Sequence, residues 1–305
     1  MRRALQLALN GEGRVSPNPM VGAVIVHGDR IIGEGFHAFY GGPHAEVNAV
    51  NSVKDCDRNL LKDSRMYVTL EPCAHYGKTP PCAELLVKTG IPEVVVATTD
   101  PNPKVAGKGI KILEDAGIKV ETGLLEEESR ELNRRFMKAH SSSLPWIILK
   151  WAESADGFMA ALDENKNPHG VKLSSSLSSI WMHRERGNVD AILVGKNTEK
   201  IDSPKLTTRL WGGNSPKKFV ANEKIDPTEF AENLRKEGVT SLMVEGGPKL
   251  LESFIKSGSY DEIRIEKSPV LIGKGLKAPQ LPKDVKLVST EMCRDNVIQV
   301  YRRIE

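Results

Sequence analysis

Long apolar runs are missing from this 305-residue sequence. Hydrophobic residues make up 39% and charged residues 27%, and no stretch approaches the roughly 20 consecutive apolar residues that a membrane helix needs. Charge of one sign is missing too. The balance of 43 basic against 40 acidic residues leaves a net charge of only +3, and no basic run is present that could clamp a phosphodiester backbone. Neither a membrane nor a nucleic-acid partner is expected. Cysteine is scarce, with four residues, Cys56, Cys73, Cys82 and Cys293. Met1-Arg-Arg-Ala-Leu-Gln has apolar positions that are helix-spaced and too few for an export signal, so a reducing, cytoplasmic location is expected. The length suggests two domains.

Strands and helices alternate in the pattern. Val21 to Val26 reads as a buried strand, Arg30 to Phe36 as a second, and Gly41-Gly42-Pro43 leads to a helix opening at His44. Met66 to Leu70 and Glu93 to Thr98 are further strands, with helices from Cys82, from about Gly109 to Ala116, and from Glu126 to Ala139. Such alternation predicts a parallel or mixed sheet covered on both faces, with ligands bound off the carboxyl ends of strands. Ser141-Ser-Ser-Leu-Pro145 is polar, carries a helix-refusing proline and reads as a boundary. Beyond it the pattern restarts, with strands at Trp146 to Ala152, Val189 to Gly195, Ser241 to Val244, Glu262 to Ile265, Val285 to Val288 and Val297 to Tyr301. Helices are expected from Ser174 to Gly187, from Phe230 to Glu237, and from Gly246-Gly247 to Ser257.

Two segments carry chemistry: His44-Ala45-Glu46, and Glu71-Pro72-Cys73 continuing to Thr79-Pro80-Pro81-Cys82. One imidazole and two thiolates suit a tetrahedral Zn²⁺ and leave its fourth position open to water, whose pKa falls toward neutrality there. Glu46, two residues past His44, is placed to move protons and not to bind the ion. His-x-Glu followed by Pro-Cys-x-x-Cys is the signature of zinc nucleobase deaminases. Here the cysteines stand as Cys73-x8-Cys82, with His75, Lys78 and Thr79 as donors in the inserted loop. A Cys-x8-Cys pair by itself reads equally as two buried thiols or a structural zinc site.

The uninterrupted run Thr69-Leu-Glu-Pro-Cys-Ala-His-Tyr-Gly-Lys-Thr-Pro-Pro-Cys82, with His44-Ala45-Glu46, resembles the bifunctional riboflavin-biosynthesis deaminase/reductase family. The resemblance implies an N-terminal cytidine-deaminase-like three-layer α/β/α domain over residues 1–143, followed by a dihydrofolate-reductase-like α/β domain over 144–305. It also implies one zinc per chain on His44, Cys73 and Cys82, and Glu46 as general acid/base. Asn18, His37, His75, Lys78, Thr79, Asp100 and Asn102 would hold the ring, ribose or phosphate of a phosphorylated pyrimidine. The implied substrate is 2,5-diamino-6-ribosylamino-4(3H)-pyrimidinone 5′-phosphate, and a homo-oligomer is expected.

The second half continues the likeness in Lys150-Trp-Ala-Glu-Ser-Ala-Asp156-Gly157, Asp202-x-Pro204-x-Leu206-x-x-Arg209 and Glu245-Gly-Gly-Pro248. By resemblance NADPH would meet Ala152, Thr198, Asp202 and the segment Gly247, Pro248, Lys249, Leu250, Leu251, Glu252 and Ser253. Arg186, Leu206, Arg209 and Glu245 would meet the phosphorylated sugar. Gly246-Gly247 alone is more often plain turn geometry than a phosphate cradle. Two departures stand out. Gly170-Val-Lys-Leu-Ser174 puts a lysine where relatives have an aromatic, and the thirty-five residues between Arg209 and Glu245 are fewer than usual, with Phe219 to Asn222 the remnant of a strand. A deaminase with a decayed reductase, a zinc deaminase of another nucleobase, and a zinc-stabilised scaffold are the competing readings.

Overall fold

The apolar run after Val21 forms β1 (Gly22–His27), which returns through Gly28-Asp29 into β2 (Arg30–Phe36) as an antiparallel pair. The structure, a computed structural model, describes residues 1–76, 80–102, 105–202, 204–222 and 225–304, without the side chains of Ile201 and Asp202. It divides into two units, Met1–Ser141 and Ser142–Glu305.

In the first unit α1 (Arg2–Ala8) precedes β1, and α2 (Ala45–Ser52) follows β2. Then come β3 (Arg65–Leu70), α3 (Cys82–Thr89), β4 (Glu93–Thr98), α4 (Lys108–Asp115), β5 (Lys119–Thr122), α5 (Glu126–Leu132) and α6 (Arg134–Ser141). The sheet order is β2-β1-β3-β4-β5, antiparallel at β1 and parallel from β3 to β5. Alternation along β1 sorts the layers. Ala23 and Ile25 join Ala45, Ala49, Ala83, Leu86 and Leu113 in the main core, whereas Val24 packs with Ala4 and Leu7 of α1. The single helix expected over Glu126 to Ala139 is broken at Asn133. Its amide accepts from Met20 N (2.8 Å) and donates to Met20 O (2.9 Å), so a buried backbone pairing outcompetes continuous helix there.

The second unit contains β6 (Trp146–Glu153), β7 (Phe158–Leu162), β8 (Pro168–His169), α7 (Ser176–Gly187), β9 (Ala191–Gly195), α8 (Lys196–Asp202) and β10 (Lys217–Ala221). After these come α9 (Pro227–Lys236), β11 (Ser241–Val244), α10 (Pro248–Ser257), β12 (Glu262–Lys267), β13 (Gly275–Lys277), β14 (Val285–Cys293) and β15 (Asn296–Arg303). The large sheet runs β10-β9-β11-β6-β12-β15-β14, parallel through β12 and antiparallel at its last two strands. Residues of α9 and α10 pack on one face and Met182 of α7 on the other. Ser175 caps α7 by accepting the Ser178 N–H. The segment read as a strand remnant is a five-residue edge strand, β10, in parallel register with β9. A small sheet, β13-β7-β8, lies in stretches whose pattern predicts no strand. Strand β12 alternates Ile263 and Ile265 with Glu262, Arg264 and Glu266. The charged face is buried as well, because Arg264 pairs with Glu262 and with Glu185 of α7.

Candidate active site

Backbone approach sets the first unit's side-chain cluster in place. A Cβ on Gly35 would lie 2.2 Å from Ala49 N and 2.5 Å from Ala45 O, and one on Gly33 would lie 2.6 Å from Ala49 O. Only bare backbone lets α2 rest this close on β2. Gly35→Ala is therefore expected to force α2 outward, costing about 1–3 kcal/mol as an overpacked contact does. Chemical denaturation measures that cost, and zinc affinity should fall with it because α2 carries the site's first residues.

His44 is the extended residue just before α2 and makes no side-chain cap, which frees its ring; Glu46 lies in the first turn. Cys73 follows the end of β3 and Cys82 begins α3. These elements bring His44 Nδ1 to 3.5 Å from Cys73 Sγ and 3.3 Å from Cys82 Sγ. The three donor atoms lie within 4.8 Å of one another, and among the described residues they form the one group suited to a metal ion. A tetrahedral zinc with ordinary Zn–N and Zn–S bonds has N···S edges of roughly 3.5 Å, so the residues fit the ion.

The electrostatics agree with a thiolate site. The hydrogen bond from Cys82, helped by that to His44, holds Cys73 below the ordinary thiol range, while Cys82 beside that thiolate is pushed up. His44 is raised, first by its hydrogen bond to Cys73. Glu46 is 3% exposed. Burial pushes its carboxyl up to about 7, with the Cys73 charge adding to the effect. The carboxyl meets Cys82 Sγ yet stands outside the three-donor group, as a proton carrier should.

Of the expected substrate residues that are described, His37 adjoins His44 and Asn18 adjoins His37, while His75, Asp100 and Asn102 adjoin one another. His37 stacks edge-on to His44 with ring centroids 5.5 Å apart. His37 Nδ1 faces Pro43 O at 3.0 Å and must carry the proton, because a carbonyl only accepts. Nε2 is thereby left to accept from Asn18 Nδ2 at 3.2 Å. Burial lowers the His37 pKa and keeps the ring neutral. Asp100 follows β4, raised by burial and within electrostatic reach of His75, and its Oδ1 accepts the Asn102 N–H at 2.8 Å. Lys78 and Thr79 lie outside the described residues.

In the second unit a cavity of about 210 Å³ opens where β6 and β11 end. It is lined by Lys150, Ala152, Met159, Val171, Leu173, Ser174, Glu245 and others. Ala152 and Glu245 are thus on one wall system, and Val171 and Leu173 supply the lining where Lys172, exposed, replaces the expected aromatic. Beside it, Gly247 approaches Thr198 so that a Cβ would lie 3.9 Å from its Oγ1, and Gly195 stands as close to Leu250. Of the remaining helix residues, Leu251 faces the core with Pro248 partly buried, Lys249 and Glu252 are exposed, and Ser253 bonds back to Leu250 O. The Asp202 side chain lies outside the described residues.

Arg186 forks onto Glu245 through Nε–Oε1 (2.9 Å) and Nη2–Oε2 (2.8 Å). Burial works against both charges, but the pair outweighs it and holds Glu245 below and Arg186 above its ordinary pKa. Leu206 is a core residue at φ +49°, and Arg209 is exposed, bonding Thr207. Charges of Arg186, Arg209 and Glu245 all reach His183, whose Nδ1 accepts the Leu210 N–H. Sequence reasoning misses His183, Lys150 and Glu266. Lys150 heads a quoted motif and could have been found. Glu266 gives no signal, since a charge at an alternating strand position reads as solvent-facing. It is 2% exposed, accepts from Ser174 and Asn296, and sits 3.9 Å from Lys150 Nζ.

Comparison with known proteins adds the following. Residues 1–98 match the family described as the cytidine and deoxycytidylate deaminase zinc-binding region, and residues 145–230 and 217–301 match the RibD C-terminal domain. The riboflavin biosynthesis protein RibD of Bacillus amyloliquefaciens is 38% identical over 329 residues, covering 92% of this chain and 86% of that protein. The RibD of Aquifex aeolicus is 37% identical, with 92% and 89% covered. A solved structure from Thermotoga maritima, described as a diaminohydroxyphosphoribosylaminopyrimidine deaminase/5-amino-6-(5-phosphoribosylamino)uracil reductase, superposes with a TM-score of 0.88. Its identity is 32%, with 99% of this chain and 97% of that one covered.

Proposed function

The chain belongs to the RibD family of bifunctional riboflavin-biosynthesis deaminase/reductases, and from that membership we propose which of its residues carry the two reactions. Residues 1–143 deaminate 2,5-diamino-6-ribosylamino-4(3H)-pyrimidinone 5′-phosphate, and residues 144–305, shortened between 209 and 245, reduce the ribosyl group of the product with NADPH. One zinc is held by His44, Cys73 and Cys82; when bound, it supplies the Lewis acidity that makes water nucleophilic near neutral pH. Glu46 takes one proton from the attacking water and delivers it to a ring nitrogen; it then takes the second from the hydroxyl on the tetrahedral carbon and gives it to the amine, so that C=O forms as the C–N bond breaks and ammonia leaves. Asn18, neutral His37, His75, Lys78, Thr79, Asp100 and Asn102 hold the ring, ribose or phosphate of the substrate.

In the second unit the cavity beside Ala152 and Glu245 takes the sugar, with Arg186, Leu206 and Arg209 shaping its surroundings. Thr198, Asp202 and the segment Gly247 to Ser253 would hold NADPH, which when bound would supply the hydride for C1′ of the opened ribose, while the protein supplies orientation. The thiolate ligands require a reducing, cytoplasmic setting. Exposed Leu287, Val288 and Met292 on the edge strand β14 support a homo-oligomer, which light scattering measures.

The observation that carries the reading is the three-donor group with a buried carboxyl beside it and outside it. The test supplies the diaminopyrimidine phosphate and follows ammonia release and NADPH absorbance separately. Chelating the zinc is expected to abolish ammonia release while NADPH oxidation with the deaminated intermediate continues at its former rate. Ammonia without nicotinamide oxidation in the zinc-loaded protein identifies a deaminase with a decayed reductase, the reading that the shortened segment before Glu245 favours.

A further inference from the structure

We infer that Glu71 is a positioning residue of the deaminase, its carboxylate clasping both sides of the loop that presents Asp100 and Asn102 and fixing that loop to the turn that delivers Cys73. This rests on the proposed deaminase reading. Glu71 is 6% exposed, and its Oε2 accepts the N–H groups of Asp100 (3.2 Å) and Gly107 (3.0 Å). Its Oε1 accepts those of Gly109 (3.0 Å) and Ile110 (3.5 Å), in the first turn of α4. Capping α4 would need only the latter pair. The bond to Asp100, on the far side of the loop, does nothing for the helix and instead closes the loop on itself.

Two further contacts make the arrangement rigid. A Cβ on Gly109 would lie 1.8 Å from Pro72 O, so α4 starts in backbone contact with the Glu71-Pro72-Cys73 turn. Glu71 N also donates to Thr98 O at 2.9 Å, tying the same turn to the end of β4 from which Asp100 follows. Glu71 does not belong to the three-donor group, Glu46 sits on α2, and Cys73 is held from the α3 side without Glu71, its O accepting the Ala83 N–H at 3.2 Å and its Sγ the Cys82 N–H at 3.3 Å. Loosening the clasp should therefore weaken substrate contacts while sparing the reacting centre, and loss of such uniform binding raises KM with kcat retained.

The test uses the full zinc-loaded chain and Glu71→Gln, which keeps the side chain's size but turns one acceptor oxygen into a donor facing two N–H groups. KM for the diaminopyrimidine phosphate is expected to rise at least about tenfold with kcat within about threefold of the parent and zinc content unchanged. Hydrogen exchange should show the Asp100, Gly107, Gly109 and Ile110 amides losing protection in the variant while β3 and β4 keep theirs. An unmoved KM, with or without a fall in zinc content, overturns the inference, as does unchanged protection at those four amides. Should the parent protein release no ammonia from this substrate, the proposed function fails, and hydrogen exchange alone decides whether the clasp exists.

Discussion

Glu46→Gln is expected to lower kcat for ammonia release by about 10²–10⁴-fold while the protein keeps its zinc, because positioned acid/base groups contribute on that scale. The substitution keeps the side chain's volume, and its carbonyl oxygen can still accept the backbone N–H that the Glu46 carboxyl accepts. What it removes is a proton carrier. Burial pushes that carrier to about 7, where it both takes and gives protons near neutrality. The steady-state rate of ammonia release, read with metal content per chain, checks the result. Retained turnover would move the acid/base role to another group, and lost zinc would make Glu46 a ligand. NADPH oxidation with the deaminated intermediate serves as internal control, since it should not change.

The second large effect concerns the Arg186–Glu245 pair, whose side chains are only 13% and 11% exposed. Removing one partner leaves a buried charge without its counter-ion, so Arg186→Met alone is expected to cost about 3–5 kcal/mol of stability. Arg186→Met with Glu245→Leu together should cost less than either single change, because the double variant strands no charge. Chemical denaturation of the three variants measures the cycle. NADPH oxidation should be lost in all of them, since Glu245 also lines the cavity.

Acid should act on the same pair from the carboxylate side. The folded protein holds Glu245 below its unfolded value. The stability it contributes is therefore fully present above the ordinary glutamate pKa and fades as pH falls through the lower, folded value. Arg186, held above an already high value, stays charged throughout. The stability difference between the parent and Glu245→Leu should therefore stay constant above the ordinary glutamate pKa and shrink only on that falling limb, as acid denaturation measures.

The three-donor group of His44, Cys73 and Cys82, with Glu46 beside it, is legible in the sequence because the order and spacing of these residues are covalent facts. A strand end, a helix start and the tight His-x-Glu offset place them with little help from distant residues. The β1–β5 frame is legible for the same kind of reason, since each apolar run reports its own burial. Other features depend on partners far along the chain. The Arg186–Glu245 fork joins residues 59 apart, and Glu71 collects N–H groups 29 to 39 residues away. Asn133 breaks a helix through backbone 113 positions earlier, and Glu266 is buried against Ser174 from a strand position that reads as exposed.

By itself, then, the sequence determined the donor set, the alternating α/β frame and the place where the pattern restarts. Only the tertiary structure decided that Arg186 serves a carboxylate, that Leu206 is core, and that Glu71 gathers the backbone N–H groups on both sides of the turn after β4. Donor chemistry and periodicity are properties of neighbouring residues. Which buried polar group meets which backbone amide is settled only when packing excludes water from both and each must find a partner.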